Sequence, residues 1–194
     1  MKKRNPVIAL SIAAALLAVL LSVVVAPRLL PDSAGRGTFA AHGHWEVSYK
    51  NLGQMIADAD AIVVATHLYS QPGRVEDAET GDPLPFTNQY FRAEQVGKSR
   101  KGMANHFVVE QTGGEIPGGG ILTIDDGGPY QPGSRYLLFL KQQPDGSYYY
   151  LPNPQGRFLN EGGKLKAVVK DQATALVHGQ TEEEALGRVR RGGR

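Results

Sequence analysis

The stretch from Val7 to Ala26, VIALSIAAALLAVLLSVVVA, carries no charge over 20 residues and is interrupted only by Ser11 and Ser22. As a helix it spans about 30 Å, the hydrocarbon thickness of a bilayer. Such a segment is expected to cross a membrane or to be lost on export; a buried helix in a globular core is disfavoured by the basic flank before it and by Pro27 after it. Lys2, Lys3 and Arg4 precede it and resist translocation, so the expected topology is a single pass with residues 1–6 cytoplasmic and everything after Ala26 outside the cell. The alternative is a cleaved signal peptide and a secreted product. Signal-peptide cores are shorter, and Pro27 disfavours cleavage directly after Ala26.

Residues 27–43 mix Pro, Gly, Ser and Ala without periodicity and read as a linker. Residues 44–194 then have the length of one domain. The 24 glycines and 12 prolines of the chain imply many turns between short elements. Leu52, Met55, Ile56 and Ala59 recur at helical spacing within residues 49–60 and predict a short amphipathic helix. Eight apolar or β-branched runs, at 61–69, 86–96, 106–111, 121–124, 135–141, 148–151, 157–159 and 164–169, are the candidates for an expected total of about seven strands. Pro144-Asp145-Gly146-Ser147 and Asn160-Glu161-Gly162-Gly163 mark hairpin turns, and residues 71–85 read as a surface loop. Thr181 and Glu184 form a capping-box pattern that opens a C-terminal helix ending in arginines. Many short strands at near-regular spacing after one helix predict a mainly β fold built as a small barrel.

The succession ADAIVVAT, VGKSRKG, FVVEQTGG, PGSRYLLFL, YYY and NPQGRF resembles a group of bacterial exported domains with the layout of netrin-like and other oligonucleotide/oligosaccharide-binding (OB-like) barrels. The resemblance covers about residues 47–170, and its best marks are Gly133 with residues 136–140 and Gln155-Gly156-Arg157-Phe158. It implies a barrel fold and an extracytoplasmic location. Netrin-like domains of animals are cross-linked by disulfides and bind or inhibit other proteins, whereas this chain has no cysteine.

The lack of cysteine excludes thiolate catalysis, Cys-ligated zinc and a Cys-linked lipid anchor. The formal charge is +2, but the three cations before the apolar stretch leave the remainder at −1, which argues against a nucleic-acid partner. No G-x-S-x-G, H-E-x-x-H, P-loop or G-x-G-x-x-G occurs, so neither a catalytic residue nor a cofactor is expected. Asp125-Asp126 before two glycines is too sparse for a hard-cation loop and reads as a turn. His42 and His44 lack a third ligand and read as linker residues. His67 and His106 lie in predicted strands and read as packing residues, with a face-to-face pair as the other reading. The glycines at 113–114 and 118–120 read as hairpin loops. Tyr130, Tyr148, Tyr149 and Tyr150 are the candidate binding residues, because tyrosine rings stack on sugars or peptides, although strand alternation must bury part of the run. The expected function is therefore a membrane-anchored extracytoplasmic module that binds a protein or cell-envelope partner without catalysis. The alternatives are a saccharide-binding barrel and an envelope hydrolase using acids such as Glu110, Asp125 and Asp126.

Overall fold

The computed structural model describes residues 37–41, 47–77, 82–124 and 127–192. The apolar stretch, His42, His44, Asp125 and Asp126 lie outside the described residues. Among those described, no helix is long and apolar enough to cross a membrane.

The fold is mainly β. Strands β1 (Thr38–Ala41), β2 (Ala61–Asp77), β3 (Pro83–Ser99), β4 (His106–Thr112), β5 (Gly114–Glu115), β6 (Ile121–Ile124), β7 (Arg135–Gln142), β8 (Tyr149–Tyr150), β9 (Arg157–Glu161) and β10 (Lys164–Ala167) are joined by helices α1 (Leu52–Asp58) and α2 (Glu182–Arg190). β1 falls inside the stretch read from sequence as linker; it pairs in parallel with β6, which also takes β5, to make a small separate sheet.

The larger sheet runs β10-β9-β7-β2-β3-β4-β8, and β8 pairs again with β7, so the sheet bends round into a ring of five strands. That closure is thin. β8 contributes only Tyr149 and Tyr150, set against Val109 and Glu110 on one side and Gln142 and Lys141 on the other. The same edge of β7 also carries β9, through residues 136–138, so the sheet forks at β7 instead of making a regular barrel. Four register shifts between β2 and β3 supply the curvature.

The expected loop at 71–85 is corrected by the structure. β2 continues to Asp77 and β3 begins at Pro83, so the two strands form one long ribbon. Its sequence reads as loop because from Tyr69 onward β2 is almost wholly exposed, and polar residues there cost nothing. The predicted hairpins do form: Lys141 pairs with Tyr150 across the 143–148 turn, and Glu161 pairs with Lys164. Gly162 and Gly163, at φ of 61° and 82°, make that second turn a two-residue connection of the kind that follows strand twist.

Two apolar layers lie back to back across the central strands. Ala61, Val63 and Ala65 of β2 face the ring interior with Phe91, Phe107, Tyr130, Tyr136, Leu138 and Leu140. Ile62 and Val64 face the other way, onto Leu137, Phe139, Phe158 and the two helices. Burial on both faces explains why β2 begins as a continuous apolar run with no alternation. α1 is started by Asn51, whose Oδ1 accepts from the Gln54 amide at 2.9 Å, and it buries Leu52, Met55 and Ile56. Its end is held by Lys98, whose Nζ donates to the carbonyls of Ile56 and Ala59, each at 2.6 Å. α2 has the expected capping box between Thr181 and Glu184 and lays Ala185, Leu186 and Val189 on the same layer. Gly97 permits that approach, since a Cβ there would stand 2.7 Å from Leu186 Cδ2.

Candidate functional site

Beyond Glu110 and Tyr150, β8 peels away from β4, because the chain turns off through Leu151 into Pro152, which has no amide hydrogen to continue a ladder. A cleft of about 450 Å³ opens there. It is lined by four successive residues of β4, Val109 to Thr112, and by Tyr150, Leu151 and Pro152, together with Lys141, Asp58, Val47 and Tyr130. This volume is in the range of small-ligand sites, about 300–1,000 Å³.

Two fixed ion pairs border the cleft. Arg74 donates to Glu110 through Nε and Nη2, to the two carboxylate oxygens in turn, each at 2.8 Å. The guanidinium lies 4.5 Å over the Phe86 ring and also meets Glu76. The Glu110 side chain is only 4% exposed, so the fork of Arg74 is what makes its burial tolerable. On the opposite side Lys141 Nζ donates to Asp58 Oδ1 at 2.9 Å, and Tyr49 Oη donates to Asp58 Oδ2 at 2.6 Å. Burial alone would raise the Asp58 carboxyl, but the bonds from Tyr49 and Lys141 bring it below its ordinary range. The same bond to Asp58 holds the Lys141 ammonium more firmly protonated.

A second depression of about 350 Å³ adjoins the first and shares Arg74, Glu110 and Gln143 with it, adding Asp145, Ser147 and Tyr148. A third, of about 310 Å³, lies where Ser70, Thr87, Gln89 and Gln111 meet the small sheet, and among the described residues its lining carries no charge. Ser70 Oγ donates to Gln89 Oε1 at 2.6 Å, and Gln89 Nε2 donates to Gln111 Oε1 at 3.0 Å.

The four candidate tyrosines separate. Tyr150 and Tyr130 line the main cleft and Tyr148 lines the adjoining one. Tyr149, between Tyr148 and Tyr150 in sequence, points the other way into the ring, with its ring edge-on to Phe107 at 5.8 Å between centroids. Tyr130 is itself mostly interior, at 4% exposed, and carries the Arg157 guanidinium 3.7 Å above its ring. Arg157 is buried, donates to the carbonyls of Gly128 and Pro129 at 2.6 and 3.1 Å, and lies 5.3 Å from the Tyr136 ring.

His67 and His106 do not face one another. His67 is opposite Phe91 and fully buried, whereas His106 pairs with Arg92, one residue out of phase, and is exposed on the other face. His67 Nε2 stands 3.4 Å from Ser70 Oγ, but the serine proton is directed to Gln89, so the two do not form an activated pair. Glu110 is likewise engaged by Arg74. Arg74, Asp58 and Lys141 had no signal in the sequence: the first lay in the supposed loop, and the others at the ends of elements far apart in the chain.

Burial holds the His67 imidazole below its usual pKa, and the nearby Arg157 charge works in the same direction. The unfolded chain therefore takes up a proton near pH 6.5 that the folded chain refuses. Stability is complete above that pH and falls as the pH drops from there toward the folded-state value, by up to about 1.4 kcal/mol per pH unit. Urea unfolding of wild type and His67→Gln across this window is expected to show the slope in the first and its loss in the second.

No protein-family model matches this chain, and no curated protein matches it in sequence.

Proposed function

We propose that this chain is an extracytoplasmic binding module, carried on the membrane by residues 7–26 and folded as an OB-like ring, that holds a protein or cell-envelope partner in the Arg74–Tyr150 cleft without catalysis. One observation carries the reading: the charged side chains along the cleft are already matched, Arg74 with Glu110 and Lys141 with Asp58. Groups locked in this way present a preorganised polar surface for recognition. They are poorly placed to shuttle protons, which a hydrolase using Glu110 would require. The near-neutral charge of the chain after residue 26 and the uncharged length of residues 7–26 support the location and disfavour nucleic acid.

The test combines two measurements on the full chain in intact cells. A C-terminal reporter that functions only outside the cytosol is expected to be active, and a photo-crosslinking residue replacing Tyr150 is expected to label an envelope component. A reporter active only in the cytosol, or a Tyr150 probe that labels nothing in the envelope fraction, counts against the module.

A further inference from the structure

The two depressions share Arg74, Glu110 and Gln143 and so adjoin as one groove, with Tyr150 lining the first part and Tyr148 the second. Residues two apart in an extended segment project to the same side roughly 7 Å apart. The groove thus offers two aromatic side chains in series, with a buried carboxylate and its guanidinium fixed in the lining common to both parts. Three carboxylates, Asp58, Glu110 and Asp145, face two cations, Arg74 and Lys141.

These features select a class of ligand. A polyanion meets no net positive charge here, and a purely apolar ligand would have to cover two ion pairs. A peptide adding to the edge of β4 finds only Gln111 and Thr112 beyond the β8 contact before the strand ends, too short a ladder to hold it by backbone bonds. An uncharged chain of sugars fits each element. The carbon-hydrogen faces of its rings pack on tyrosines, and its neighbouring hydroxyls donate to and accept from paired carboxylate and guanidinium groups without disturbing their charge balance. Resting on the binding-module reading above, we infer that this groove binds an uncharged oligosaccharide segment, at least two sugar units long, across Tyr150, the Arg74–Glu110 pair and Tyr148.

The test is titration of the full-length protein in lipid nanodiscs with chitohexaose, cellohexaose, maltohexaose and, as the polyanion, hexagalacturonate, up to about 5 mM. At least one neutral hexasaccharide is expected to bind. Tyr150→Ala is expected to weaken that binding by about tenfold or more and Tyr148→Ala by about threefold or more, while Tyr150→Phe, which keeps the ring, stays within about twofold. Circular dichroism unchanged from wild type confirms that each variant is folded. The inference is overturned if none of the three neutral sugars binds, if hexagalacturonate binds better, or if both folded alanine variants bind as wild type does. A crosslink from position 150 to a protein, with no sugar bound, would leave the module standing and remove the saccharide. Absence of both would remove the two together.

Discussion

Replacing Arg157 by alanine is expected to lower the unfolding free energy by about 3 kcal/mol, read as a shift in the urea midpoint at unchanged m-value. The guanidinium donates to the Gly128 and Pro129 carbonyls and lies against Tyr130 and Tyr136 inside the ring. Truncation deprives both carbonyls of a charged donor and leaves a void over the Tyr130 ring, beside Tyr136. Arg157→Lys is not expected to restore the loss, since an ammonium has neither the planar face nor the forked donors. Arg157→Met tests the opposing contribution: it keeps the volume and removes the cost of burying a charge, so its loss is expected to be less than half that of alanine. A methionine variant as unstable as the alanine one would show that charge, and not volume, governs the position.

The adjacent residue probes the other layer. Phe158 alternates to the opposite face of β9, where it is fully buried against Phe139 at 5.9 Å between ring centroids. Phe158→Ala is expected to cost about 3–5 kcal/mol, and Phe158→Leu less than about 1.5 kcal/mol. Hydrogen exchange should separate the two sites further: the alanine at 158 loosens α1 and α2, which rest on that layer, whereas the alanine at 157 loosens the loop at 127–130. Uniform loss of protection in both variants would mean that the layers unfold as one unit.

The legible part of this fold was the part written as burial. The apolar start of β2, the run from Tyr136 to Leu140, the two hairpins and the capping box of α2 all follow from patterns within a few residues. The distal ribbon was not legible, because an exposed two-stranded segment has no buried face to impose alternation. Nor was the partition of Tyr148, Tyr149 and Tyr150 between groove and interior: alternation says that one must differ from its neighbours, but which one depends on the pairing of β8 with β4 and β7. The ion pairs of the groove join residues 36 and 83 positions apart, and no local pattern announces such partners.

The two-residue width of β8 has a consequence for how the molecule moves. A ring fastened over so short a length is expected to open there at a small fraction of the global unfolding free energy, while the first part of β2, residues 61–66, paired along both edges and mostly buried, stays shut. That short fastening borders the groove, so the oligosaccharide inferred above would be laid in sideways, where β8 parts from its neighbours, instead of being fed in from one end.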